Sequence, residues 1–184
     1  MTPDLSNCVE AARALLGWKL VHETAQGKTS GYIVETEAYD MSEPASHSYG
    51  GQRLRNAPMY QEKGTIYVYF TYGMHYCMNI VTGPKGHGQA VLIRALQPVE
   101  GIELMKQRRG LVSEKNIANG PAKLTQALGI DRSQNNTHLQ GGALYLEPGI
   151  TPQGIVQTTR IGISKAVGHP WRFYIAGSDY ISRR

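Results

Sequence analysis

The sequence predicts an α+β fold: one compact domain over residues 1–184 in which mostly antiparallel strands are joined by short connections and flanked by a few helices. Three observations predict it. Strand-like runs recur through the chain, at 18–23, 31–38, 65–70, 74–82, 89–96, 143–147, 156–163 and 172–176. Most links between neighbouring runs are too short for crossover helices, so most adjacent pairs should be antiparallel. Helical spacing of apolar residues is confined to three places.

The elements follow in order. Asn7, with Glu10 three positions later, has the pattern of a helix cap, and Val9, Ala12, Leu15 and Leu16 then recur at helical spacing until Gly17. The runs at 18–23 and 31–38 flank a turn at 25–28 and should form a hairpin. Residues 40–64 read as a long loop, rich in Gly and Pro; loops of that length in a compact domain are usually functional or disordered. The runs at 65–70 and 74–82 enclose Thr71-Tyr72-Gly73, which puts Tyr72 at a hairpin tip. An aromatic there is either folded back on the surface or a wedge for a partner. GPKGHG, 83–88, reads as a turn, without the pattern of a phosphate loop. Pro98 is expected to open a helix ending at Arg109 before Gly110, and Pro121 a second, ending at Leu128 before Gly129.

The chain of 184 residues carries a net charge of +5 and a pI near 9.2, which suits a polyanionic partner without naming one. Cys8 and Cys77 stand far apart, so neither a disulfide framework nor a zinc knuckle is expected. No run is long enough for a membrane span and the first residues lack a signal-peptide pattern, so the cytosol is the expected location and no membrane partner is expected. Tyr is abundant, 11 against 2 Phe, a preference for aromatics with a polar tip that favours wet or binding surfaces.

The chemistry points to residues 31–51, GYIVETEAYDMSEPASHSYGG. Glu35, Glu37 and Tyr39 alternate along a strand and share a face. They are either a site or the wet side of an edge strand. Arg94, within AVLIRAL, is costly to bury without a carboxylate, and Glu37 or Glu35 is its natural partner. Arg53, Arg55, Arg108, Arg109 and Lys123 are candidate phosphate contacts.

VETEAY, ASHSYGG, RN, GTIYVYFTYGMHYCMNI, AVLIRAL-PVEG, NGPAKLTQAL and RFYIAGS, in that order, resemble the alkyladenine (3-methyladenine) DNA glycosylase family in its bacterial form, over about residues 8–178. The resemblance implies a curved sheet with a protruding β-hairpin. It implies double-stranded DNA with damaged purines as partner, a monomer, no cofactor or metal, and work in the bacterial cytosol or nucleoid. By matching positions it implies that Glu37 activates water and Arg94 helps hold it. Tyr39, His47 and Tyr69 would sandwich the extracted base, Asn79 would crowd out the exocyclic amino group of guanine, and Tyr72 would fill the gap in the duplex. The segment from Tyr39 to His47 is one residue shorter than in vertebrate members. No lysine lies in 31–51, so an abasic site is the expected product, without strand cleavage.

Two other classes compete. Glu35 and Glu37 lie about 6.6 Å apart by strand rise, a separation that inverting carbohydrate glycosidases use, but both rise from one strand. A binder of distorted nucleic acid without chemistry would need Tyr72 and the cations but not Glu37. The zinc deaminase pattern is absent.

Overall fold

The computed structural model describes residues 2–110 and 112–183. Helix α1, Cys8–Ala14, starts where expected: the Asn7 side chain accepts from the N–H groups of Val9 and Glu10 at 2.9 and 3.4 Å. Gly17 then turns the chain with φ of 85°, and a Cβ there would sit 2.1 Å from the carbonyl oxygen of Ile150.

Strands β1, Lys19–Thr24, and β2, Gly27–Asp40, form the expected hairpin, in register from Lys19–Tyr32 to Thr24–Gly27. A second hairpin joins β3, Ile66–Thr71, to β4, His75–Val81, with Tyr72 at its exposed tip. Then come β5, Gln89–Glu100; α2, Ile102–Arg109; α3, Pro121–Leu128; β6, Leu144–Glu147; β7, Ile155–Thr158; and β8, Arg172–Ile175. All eight described strands belong to one antiparallel sheet ordered β3-β4-β5-β2-β1-β6. Along one edge, β2 pairs first with β1 and then, at Glu35–Glu37, with β8, which in turn carries β7.

Three expectations are corrected. Pro98 does not open a helix: it lies in β5 opposite Gly31, and α2 begins after Gly101. Proline is tolerated there because β4 pairs with β5 only at Ala90–Leu92, so among the described residues no strand on that side asks for its missing N–H. The stretch 40–64 is not all loop, since Leu54–Tyr60 forms a 3₁₀ helix. The strand expected at 156–163 ends at Thr158, and the chain then leaves the sheet.

The helices cover one face. Ala11 and Ala12 of α1, Leu15 at its C-terminal cap, Met105 of α2, and Leu124 and Leu128 of α3 pack with Ile33, Ile80, Ile93 and Leu96. Register shifts in the β2–β5 pairing place Val34 and Arg94 at bulges. Alternation is broken there, so Ile33 and Ala38 both belong to the helix-side core, and Thr36 caps the carbonyl of Ala12 at 2.7 Å. Glu35, Glu37 and Tyr39 are left on the opposite face. They are not the wet side of an edge strand: β2 is internal, and both carboxylates are wholly buried. Among the described residues no helix is long and apolar enough to cross a membrane.

Candidate active site

One transverse row of the sheet organises the second face. Reading across β3, β4, β5, β2 and β8, Tyr67 stands opposite Asn79, Asn79 opposite Leu92, Leu92 opposite Glu37, and Glu37 opposite Arg172. Directly opposed residues of neighbouring strands point to the same side, so this row delivers a carboxylate, an amide and an aromatic ring to one place. Tyr69 and Cys77 form the adjoining pair.

Over the row opens a cavity of ≈ 340 Å³. Tyr39, His47, Tyr67 and Tyr69 supply its rings, Asn79 and Arg94 its polar floor, and Ile161 and Gly162 its far wall. Tyr72 and Thr71 stand at its mouth, and Pro121 brings the start of α3 alongside. The volume and the ring-rich lining suit a flat heterocycle.

Glu37 lies behind this lining, fully buried, with its donors closed around it. Its Oε2 accepts from the Tyr39 hydroxyl at 2.8 Å and from Arg94 Nη1 at 3.1 Å; its Oε1 accepts from the backbone N–H of Ile161 at 2.7 Å. A carboxylate offers about four acceptor positions, so among the described residues one on Oε1 stays open. Arg94, turned by its bulge, reaches both acids, with Nε 3.4 Å from Glu35. Burial alone would lower its affinity for a proton, but Glu37 and Glu35 outweigh burial and raise it. The guanidinium is a fixed positive charge.

The ring of Tyr39 is held from behind. The guanidinium of Arg160 sits 4.6 Å from its centroid and 5.3 Å from that of Trp171, and forms a fully buried bidentate pair with Glu43 at 2.6 and 3.0 Å. Burial first, then the Glu37 charge, pushes the Tyr39 hydroxyl above its ordinary range, so it stays a donor. Burial does the same for Tyr69 and brings Tyr67 up to about 12.

His47 comes from the loop after β2. Asn56 fixes that loop, donating to the carbonyls of His47 at 2.8 Å and Gly51 at 3.2 Å and accepting from the Arg53 N–H at 2.6 Å. The His47 ring meets Tyr69 edge-on at 4.4 Å, and its Nδ1 lies 3.0 Å from the Tyr67 hydroxyl. Its outer side is exposed, yet desolvation by the surrounding protein and then the nearby Arg55 charge lower its pKa. Asn79 donates to the Tyr67 carbonyl at 3.2 Å.

The structure thus brings together Glu37, Arg94, Tyr39, His47, Tyr69, Asn79 and Tyr72. Arg53 and Arg55 are exposed beside the His47 loop, and Lys123 on α3 binds Asn119 at 2.8 Å. Arg108 and Arg109, the other candidate phosphate contacts, are half-buried and bond to Ala127, Gln26, Ile117 and Gln126, bracing α2 against α3. Tyr67 also lines the cavity, whereas Tyr76 packs against the core and Phe70. Sequence reasoning missed Arg160, Glu43 and Ile161. Isolated cation and acid far apart in sequence give no signal, although a basic residue beside Ile161-Gly162 at an expected strand end was a place to look.

The sequence profile of methylpurine-DNA glycosylases matches residues 4–179. The chain belongs to the methylpurine-DNA glycosylase family. A protein of Methanoculleus marisnigri with the provisional name 3-methyladenine DNA glycosylase is 50% identical over 181 residues, covering 96% of this chain and 94% of its own. Proteins of the same provisional name from Carboxydothermus hydrogenoformans and Francisella tularensis are 49% identical over 176 residues and 47% over 181, covering 94% and 96% of this chain and 92% and 94% of their own. This methylpurine-DNA glycosylase is therefore a hydrolase of N-glycosyl bonds, acting on alkylated bases in DNA.

Proposed function

We propose that this methylpurine-DNA glycosylase extracts an alkylated or deaminated purine (3-methyladenine, hypoxanthine or ethenoadenine in class) from duplex DNA into the aromatic cavity and hydrolyses its glycosidic bond with water activated by Glu37. The observation that carries this reading is the Glu37 carboxylate: buried, held by three donors, with one acceptor position open behind a wall of rings.

Extraction of a paired base costs a few kcal/mol. Stacking on aromatic side chains returns roughly 1–3 kcal/mol per contact, and Tyr39, with His47 and Tyr69 facing it, offers such a slot. Tyr72 fills the vacated stack, and Asn79 on the floor limits bases with an exocyclic group at its edge. Damaged bases pair poorly and are cheaper to extract, which gives part of the selectivity.

In the hydrolysis, the water oxygen bonds to C1′ and the C1′–N9 bond breaks, its electron pair leaving with the purine. Glu37 takes the water proton and stabilises the cation-like sugar. Arg94 helps hold the water. Alkylated purines already carry positive charge and leave readily, whereas neutral lesions need protonation. The product is an abasic site, formed without strand cleavage. Arg53, Arg55 and Lys123 serve as sequence-independent phosphate contacts. The enzyme works as a single domain and a monomer in the cytosol or nucleoid.

The test is single-turnover base release from duplexes carrying hypoxanthine, ethenoadenine or an alkylated purine, with wild type and Glu37→Gln. Wild type should release base, and Glu37→Gln should bind while losing about 10²–10⁴-fold in rate. Binding by both with release by neither would make the chain a recognition module and overturn the mechanism.

A further inference from the structure

Glu35 is wholly buried and has no part in the hydrolysis just described, yet it gathers as many donors as Glu37 does. Arg172 Nε reaches its Oε1 at 2.7 Å from β8. The backbone N–H of Ser182 reaches its Oε2 at 2.6 Å, and the Ser182 hydroxyl its Oε1 at 2.9 Å. Arg94 Nε approaches the same oxygen to 3.4 Å. The Ser182 oxygen also accepts from Arg94 Nη2 at 3.3 Å. Thus Ser182, from the segment after β8, bonds to Glu35 and Arg94 alike.

The segment is anchored where it needs to be. Ile181 is buried in one apolar cluster with Val34 and Ala95, the chain neighbours of Glu35 and Arg94. Beyond Ser182, the carbonyl of Arg183 accepts from the Arg172 guanidinium.

A guanidinium bonded only to Glu37 through Nη1 could pivot about that one contact. Here Nη1 bonds to Glu37 and Nη2 to Ser182, while Nε makes no hydrogen bond but lies 3.4 Å from the Glu35 carboxylate as an ion pair. Two hydrogen bonds and the pull of a second carboxylate restrict the plane of the guanidinium. We propose that the segment 180–183 is a positioning element of the active site, in which Ser182 and Glu35 hold the Arg94 guanidinium in the orientation it needs beside Glu37. The inference rests on the role given to Arg94 above. Small misplacements of a positioning group cost up to about 10²-fold in rate.

The experiment compares Ser182→Ala, Ser182→Thr, Arg94→Lys and the Ser182→Ala/Arg94→Lys double variant. It reads single-turnover base release at saturating enzyme, affinity for a duplex with a tetrahydrofuran abasic analogue, and thermal midpoint. Ser182→Ala should slow release about tenfold with unchanged affinity and midpoint, Ser182→Thr should restore the rate, and Ser182→Ala should cost nothing more once Arg94 is Lys. A chain stopped after Asp179, which also loses the Ser182 N–H, should slow release further. If that chain fails to fold, the Ser182 series alone decides. A wild-type rate in Ser182→Ala, failure of Thr to rescue, or effects that multiply in the double variant would overturn the proposal, since Ser182 would then not act through Arg94. Failure of the wild type to release any base would instead sink the function proposed above.

Discussion

The hydroxyl of Tyr39 donates to Oε2 of Glu37 over 2.8 Å, from two positions further along β2. The ring proposed to carry the base is tethered to the carboxylate proposed to drive the water. Tyr39→Phe keeps the ring and removes the tether. Hydrogen bonds to charged groups contribute about 1.5–3 kcal/mol, so base release should slow about 10–100-fold while lesion affinity holds. Equal losses in rate and affinity would show that the hydroxyl serves stacking instead.

Tyr72 is 88% exposed at the hairpin tip, with φ of 51°. It has little packing to lose, and glycine adopts that backbone conformation without strain. Tyr72→Gly should therefore leave stability within about 0.5 kcal/mol yet weaken lesion-duplex binding by about 1–3 kcal/mol. Titration of lesion and intact duplexes, with a parallel denaturant curve, separates the two. Unchanged binding would return Tyr72 to the status of a surface aromatic.

The Arg160–Glu43 pair has almost no solvent to retreat to. Removing one partner strands a buried charge, so Glu43→Gln should destabilise the fold by about 3–5 kcal/mol. Chemical denaturation measures it. A loss below about 1 kcal/mol would mean that the pair behaves as a surface contact.

His47 has a lowered pKa, from desolvation first and Arg55 second. The unfolded chain then binds a proton at a higher pH than the folded one. His47 therefore costs nothing well above the ordinary histidine pKa and lowers stability progressively as pH falls from there to its folded value. His47→Gln should flatten that part of the stability profile, apart from the share due to His22, which burial shifts the same way. Proton NMR should find His47 titrating below the free imidazole and moving up in Arg55→Ala. A His47 resonance that titrates at the ordinary value would contradict both.

Much of the fold was legible because its signals are local. Asn7 caps α1, Gly110 and Gly129 end α2 and α3, and short turns fix two hairpins. Pro98 misled because proline marks a helix start and a free strand edge equally well, and only the reach of β4 decides between them. The candidate site was legible where residues cluster in sequence or in matching blocks, as with Glu37, Tyr39 and Arg94. Arg160 and Glu43 were not, being 117 residues apart and joined only by folding. Ile161 contributes a backbone N–H, which leaves no trace in residue identity. The bulges at Val34 and Arg94 escaped for a related reason: strict alternation hides a slip that depends on the partner strand.

The row Tyr67–Asn79–Leu92–Glu37–Arg172 has a consequence for synthesis. Its members leave the ribosome in the order 37, 67, 79, 92, 172, so the residue that flanks Glu37 on β8 emerges after nearly all the rest of the chain. Domains generally fold as units during or after synthesis; a nascent chain that stops before residue 172 lacks one strand neighbour of that carboxylate, and one that stops before residue 161 also lacks the Ile161 N–H that holds it. A ribosome-tethered chain stalled before residue 160 should be inert toward damaged DNA however well its first hairpins have formed, so that a half-made protein is harmless to the genome it will later tend.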